Sequence, residues 1–221
     1  MYFRAIIFAL SATMAGMAAI VTATETRAHR ALAQTQLDGM SFGISHPLDL
    51  PFSTRQLNAT LEGCWQASLP GQVGFFTADQ TRRTHSHCTD FIARAEPFWP
   101  GYGRSSLTRA ALAAASGDLV RFQAELARAQ RLAPHQGWQA MRRLHLAVDM
   151  EMSDQIGPNG GLSFLHKDVA LLLTIQPGAE ALAAHYETAP GIRPAIALAL
   201  AAGNGRDRQR FVNLVRLRGL Q

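Results

Sequence analysis

The stretch Leu107-Thr108-Arg109-Ala110-Ala111-Leu112-Ala113-Ala114-Ala115-Ser116-Gly117-Asp118-Leu119-Val120-Arg121-Phe122-Gln123-Ala124-Glu125-Leu126-Ala127-Arg128-Ala129-Gln130-Arg131-Leu132 decides the fold class. It holds no Pro and few β-branched residues, and it is dominated by Ala, Leu, Arg and Gln, which lose least on entering a helix. Gly117-Asp118 interrupts it with the residue that turns a chain and the residue that caps the next helix. Phe122, Leu126, Ala129 and Leu132 then recur at helical spacing. The spacing predicts a helix over 107–115, with Ser105 at its start, a turn at Gly117-Asp118, and a second helix over 119–132. Two helices joined by so short a turn pack antiparallel.

The same grammar extends outward. Pro134 predicts entry into a helix carrying Trp138, Met141, Leu144 and His145. Upstream, Ser53-Thr54-Arg55-Gln56 and Thr77-Ala78-Asp79-Gln80 both read as capping boxes. The first opens a helix with Leu57, Leu61, Cys64 and Ser68 on one face, stopped by Pro70-Gly71. The second opens one with Thr84, Cys88, Phe91, Ile92 and Ala95 on one face, ended before Pro97. Downstream, Gly157-Pro158-Asn159-Gly160-Gly161 is a strong break. Ser163 caps a helix through Val169 to Ile175, Pro177 starts another to Tyr186, and Pro190-Gly191 precedes a helix over 192–202. Gly203-Asn204-Gly205 separates that from a last helix over 206–218, whose apolar face is expected to dock on the 192–202 helix. The expected architecture is all-α, about nine helices in stacked pairs, with no alternating stretch long enough for a sheet.

Composition and charge bound the compartment and partners. The chain has 221 residues, 48% hydrophobic and 17% charged, too apolar for a disordered chain. Only one long apolar run exists, so a multi-span membrane protein is excluded. That run, residues 5–24, carries no charge and follows Met1-Tyr2-Phe3-Arg4. At the helical rise its twenty residues span about 30 Å, one bilayer core. It reads either as an uncleaved anchor or as a signal peptide, with small residues around Val21-Thr22-Ala23 and Ala31-Leu32-Ala33 suiting cleavage. Residues 25–52 read as a linker and residues 53–221 as one helical-hairpin domain, long enough to bury a core. Both readings of the run export the domain. The expected location is the inner membrane, single-pass with the domain in the periplasm, or the periplasm itself if the segment is cut.

The net charge of +5 comes from 21 Lys and Arg against 16 Asp and Glu. Lys167 is the sole lysine, so the basic residues are almost all Arg. Export disfavours a nucleic-acid partner. Cys64 and Cys88, the two cysteines of the chain, fall on apolar faces of neighbouring helices, and an even pair in an exported chain is read as one disulfide. His85-Ser86-His87-Cys88 has metal-ligand residue types, but on a helix His85 and His87 point apart. Asp149, Glu151 and Asp154 lack the alternating oxygens of a calcium loop and read as a solvated helix end. Gly157-x-x-Gly160-Gly161 has no Lys and no preceding strand, so it is not a phosphate loop. No catalytic motif, cofactor site or metal site is assigned.

Two features carry the partner reading. Phe98, Trp99, Tyr102 and Trp138 are core aromatics next to turns, with Trp138 packing on the 119–132 helix, or they form a partner- or glycan-stacking surface. The last helix places Arg206, Arg208 and Arg210 in its first turn, where the helix dipole disfavours cations, and this points to an external anionic partner, lipid or acidic glycan. Trp99, Tyr102, Trp138, Arg206, Arg208 and Arg210 are the candidate partner-binding residues.

The segment Ala111…Gly117-Asp118…Phe122…Leu126…Ala129…Leu132-Ala133-Pro134…Trp138 resembles the second half of a tetratricopeptide repeat, in which small residues let two helices cross closely. One good copy is present, and the other hairpins do not keep the roughly 34-residue period, so the resemblance implies an irregular helical-hairpin stack. The order of apolar segment, two Cys-bearing helices, Gly117-Asp118…Gly137-Trp138…Arg142-Arg143, Asp168-Val169-Ala170-Leu171-Leu172 and Tyr186…Pro190…Arg193-Pro194 is similar to small exported helical proteins of alphaproteobacteria found with cell-envelope polysaccharide operons. That resemblance implies a non-enzymatic, membrane-anchored scaffold or adaptor of the envelope, accessory to polysaccharide polymerisation or export, with an envelope protein or an acidic glycan as partner. The alternative expectation is a periplasmic glycan-processing enzyme with a non-motif active site.

Overall fold

A computed structural model describes residues 13–23, 26, 50, 53–69, 77–152 and 165–219. Among them every regular element is helical. Residues 13–23 are helical and exposed. No helix among the described residues is long and apolar enough to cross a membrane. Much of the apolar segment 5–24, nearly all of the expected linker, and the break at residues 157–161 with Ser163 lie outside the described residues. The chain divides into two compact units, Met1–Trp99 and Pro100–Gln221.

The first unit contains α1 (Thr54–Gln66) and α2 (Ala78–Ala95), which pack on each other. Ser53 caps α1 by accepting from the Gln56 N–H. Thr77 and Gln80 form a reciprocal capping box on α2, which satisfies two N–H groups that the helix itself leaves without partners. The expected faces are the buried ones: Leu57, Leu61 and Cys64 on α1, with Ser68 buried in the turn just after it, and Thr84, Cys88, Phe91, Ile92 and Ala95 on α2. Trp65 joins them on α1.

The second unit contains α3 (Gly103–Ala115), α4 (Leu119–Leu132), α5 (Gly137–Met152), α6 (His166–Thr174), α7 (Gln176–Thr188), a 3-10 turn (Pro190–Ile192), α8 (Arg193–Ala202) and α9 (Gly205–Arg218). Gly117 sits at φ +73°, a left-handed conformation that costs glycine nothing. Asp118 then accepts from the Arg121 N–H and starts α4. The α3–α4 hairpin is the tightest pair in this unit. It is tied by an Arg109–Glu125 ion pair at 3.1 Å with both side chains largely buried.

Several boundaries differ from the sequence reading, among them three helix starts. α3 begins at Gly103 rather than Ser105, with Tyr102 as its N-cap. α5 begins at Gly137, not at Pro134, because Pro134 lies in the turn that follows the α4 C-cap at Ala133. The first α5 bond runs from Ala140 N–H to Gln136 C=O. The 192–202 helix is preceded by a separate 3-10 turn.

The packing order is also different from a ladder of successive pairs. α6 is central: α5, α7, α8 and α9 all pack against it. α6 and α7 approach closely at Gly178, where a Cβ would lie 2.4 Å from the Leu172 carbonyl oxygen, so no other residue fits. α9 was expected on α8; it docks instead on α7 and α6. The Phe211 ring meets Tyr186 of α7 edge-on at 5.8 Å, and Arg210 reaches the Leu173 carbonyl of α6.

Candidate functional site

Cys64 and Cys88 form a disulfide with Cα atoms 5.7 Å apart, within the range a bridge needs. Cys88 is therefore committed, and no group of three or more His, Cys, Asp or Glu among the described residues is placed to hold a metal. His85 is half-buried, and burial lowers its pKa against a raising hydrogen bond with the Ala67 backbone. Trp99 is half-buried beside the exposed Phe98, ring centroids 6.1 Å apart.

The remaining candidates belong to the second unit. Tyr102 is half-buried at the α3 N-cap. Trp138 is not core, as one reading of the sequence had it. It is 46% exposed, one residue inside the start of α5. The guanidinium groups of Arg104 and Arg142 lie 5.0 and 5.5 Å from its ring centroid, the geometry of a cation–π contact. The physical reason is helical phase. The buried face of α5 includes Ala140, Arg143, Leu144 and Ala147, and at about 100° per residue Trp138 lies roughly 120–180° around the helix from them. Leu132 and Ile175, each 37% exposed, belong to the same end of the unit. A Cβ on Gly103 would meet Leu132 at 3.5 Å, and one on Gly137 would meet Ile175 at 3.2 Å.

The arginines of α9 are placed by the fold. Arg206 is exposed. Arg208 donates to the Leu200 carbonyl at 2.8 Å, in the last turn of α8. Arg210 donates to the Leu173 carbonyl in the last turn of α6 and pairs with Asp207 at 2.7 Å. The misplaced-cation argument therefore fails for Arg208 and Arg210. They lie in the first turns of their own helix, but they serve the negative C-terminal ends of two others, where a cation is favourable.

Between α8 and α9 the chain leaves a groove of about 670 Å³, lined by the apolar side chains of Ile196, Ala197, Leu200, Phe211, Val212 and Val215. Its other lining residues include Tyr186, Arg193 and Arg216. Arg193 stacks on the Tyr186 ring at 5.2 Å and donates from Nε to the Tyr186 carbonyl at 2.9 Å. Sequence reasoning missed this groove, because it assumed that α8 and α9 close on each other.

It also missed the buried ionic groups. Arg143 and Asp168 are 0% and 1% exposed. Arg143 Nε and Nη2 donate to the two Asp168 oxygens at 2.8 and 2.7 Å, and Nη1 and Nη2 reach the Ala129 and Ala133 carbonyls at 3.3 Å each. One guanidinium thus joins α5 to α6 and to the end of α4. Glu151 is buried too, and its carboxylate accepts from the Gly191 N–H at 2.5 Å, which corrects its reading as part of a solvated helix end. Asp149 lies elsewhere on α5, near His145 and His185, whose rings meet edge-on at 5.3 Å. Burial raises the Asp149 pKa while His145 and His185 lower it. Burial lowers the His185 pKa, with His145 and Arg218 acting the same way and Asp149 opposing. The acidic trio does not converge: Glu151 and Asp149 serve different neighbours, and Asp154 lies outside the described residues.

Comparison with known proteins found no family model, curated sequence or solved structure that matches this chain.

Proposed function

We propose that this chain is an exported helical adaptor of the cell envelope, an irregular tetratricopeptide-like stack held at the inner membrane through residues 5–24. In this reading its second unit binds an envelope protein partner, and through that partner it is accessory to polysaccharide polymerisation or export. The observation that carries the reading is the exposed end of the second unit. There Trp138 projects with Arg104 and Arg142 beside its ring, flanked by Leu132 and Ile175. Trp and Arg dominate the energetics of protein interfaces, because a large rigid ring excludes water around a directional charge. A partner surface with an apolar socket and carboxylates at its rim is the complement.

A photo-crosslinking residue placed at position 138 tests this. Val120, 82% exposed at the other end of α4, is the control position. The adaptor reading expects a discrete crosslinked envelope protein from position 138, none from position 120, and loss of that species when Arg142 is changed to Glu in the same background. Equal yields from both positions, or none from 138, overturn it.

A glycan-processing enzyme is the second reading, and the His145–Asp149–His185 group favours it, since two imidazole rings meet at the surface and a carboxylate acts on both electrostatically. In that case His185→Gln abolishes turnover of envelope glycan while leaving the position-138 crosslink intact.

A further inference from the structure

The groove between α8 and α9 is unused by the adaptor reading, and its chemistry is sorted along its length. α8 and α9 converge at the Gly203-Asn204-Gly205 turn, where Arg208 donates across to the Leu200 carbonyl. Toward that end the groove is lined by Ala197, Leu200, Phe211 and Val212, with Ile196 and Val215 further out. At the opposite, open end stand Arg193 from the first turn of α8 and Arg216 from the last turn of α9. From Arg193 to Leu200 the helical rise gives about 10 Å.

We infer that this groove binds a single-chain anionic amphiphile, with its apolar tail running toward the Gly203–Gly205 turn and its carboxylate at Arg193 and Arg216. Charge complementarity selects the head group. Both charged residues that line the groove are guanidinium groups, which fork onto a carboxylate. Arg193 is pre-ordered by its bonds to the Tyr186 carbonyl and ring, so binding costs it little side-chain entropy. The short connection between α8 and α9 selects the tail. A partner helix with its side chains is roughly 10–12 Å across, and lying along the groove it would run into the Gly203–Gly205 connection. A tapering alkyl chain stops there. The volume of about 670 Å³ lies in the range of small-ligand sites, roughly 300–1,000 Å³.

The experiment uses the full chain in phosphatidylcholine nanodiscs, with the methyl groups of Ile196, Leu200, Val212 and Val215 observed by NMR. Titration with decanoate is expected to shift these methyls saturably, and decyltrimethylammonium is not. Arg216→Glu, at an exposed position, is expected to weaken decanoate several-fold, since it replaces an exposed attraction with a repulsion. Ala197→Trp, also exposed, fills the groove and abolishes the shifts. The inference is overturned if decanoate and the cationic amphiphile shift the methyls alike, or if Arg216→Glu has no effect. It is also overturned if phosphatidylglycerol nanodiscs produce the same shifts without decanoate, which makes the groove a bilayer contact. Displacement of decanoate by an acidic amphipathic helical peptide that binds more tightly overturns it in favour of protein docking. None of these outcomes depends on the crosslink at position 138.

Discussion

The two units of this chain solve the same problem by opposite means. The α1–α2 unit has few large buried side chains, chiefly Leu57, Leu61, Trp65, Phe91 and Ile92, and a covalent bridge crosses its middle. The α3–α9 unit has a larger apolar core and needs no bridge, yet it takes a full ion pair into its interior between α5 and α6. A two-helix hairpin cannot bury enough apolar surface to offset its chain entropy, so constraining the unfolded chain is the effective device. In a larger core the shortage is of direction rather than of area. Apolar contacts alone leave helix positions loosely specified. A guanidinium that must satisfy Asp168 and two carbonyls of the α4 end admits one arrangement of α4, α5 and α6. The lesson is that the disulfide supplies stability, whereas Arg143–Asp168 supplies uniqueness.

The largest effect is expected from breaking the ion pair on one side only. Arg143→Leu leaves a buried carboxylate without a counter-charge and should cost about 3–5 kcal/mol in denaturant unfolding. Arg143→Met combined with Asp168→Leu should recover most of that loss. A partner-specific role for the pair as a source of net stability would instead leave the double variant as damaged as the single one.

Removing the bridge comes next. Cys64→Ala with Cys88→Ala releases a loop of 24 residues and should lower the stability of the first unit by about 3 kcal/mol, the value the chain-entropy estimate gives for such a loop. Limited proteolysis should then cut within residues 53–99 first and leave 100–219 protected. Unchanged protection would show that the hairpin core suffices without its staple. In the unmodified protein, alkylation without reductant should label neither cysteine.

The smallest effect is electrostatic and confined to the α5–α7–α9 surface. His185 has a folded pKa below its usual 6.5, so below that value the unfolded chain holds more protons. Its contribution to stability is complete above about pH 6.5 and is lost as the pH falls. Asp149 works in the other direction, because its folded pKa lies above 3.8 and its cost is relieved only on acidification. The melting temperature should fall modestly between pH 7 and about 5.5, and His185→Gln should flatten that slope. His145, Asp149 and Arg218 are the charged groups that act on His185, so an unchanged slope in the variant would move the pH dependence to His85 in the first unit.

Much of the fold was legible because it is written locally. Capping residues Ser53, Thr77 and Asp118, the stops at Gly117 and Gly203, and the apolar periodicity of α1, α2 and α4 all report interactions within a few residues of the chain. The pairing of Cys64 with Cys88 followed from two faces and an even count. The pairings that held, α1 with α2 and α3 with α4, join helices adjacent in the chain; what failed were other inferences about which helices or surfaces meet. Trp138 lies at the surface because the core sits on the side of α5 that carries Ala140, Arg143, Leu144 and Ala147, and helical spacing alone does not say which side that is. Arg208 and Arg210 changed meaning because the carbonyls they reach, Leu200 and Leu173, belong to other helices. The groove was invisible because helical spacing shows that α9 has an apolar face and is silent about its partner.

By itself, then, the amino-acid order determined that the chain is helical, where most helices begin and end, and which two cysteines meet, since hydrogen-bond capping and helical periodicity act over one or two turns. Only the tertiary structure decided that α6 is the hub, that Arg143 donates two hydrogen bonds to Asp168, 25 residues away in the chain, and that α8 and α9 part at their outer ends. Those outcomes depend on competition among apolar faces for the same core. That competition is settled by close packing and by the cost of leaving a buried charge unpaired, quantities that no short stretch of the chain contains.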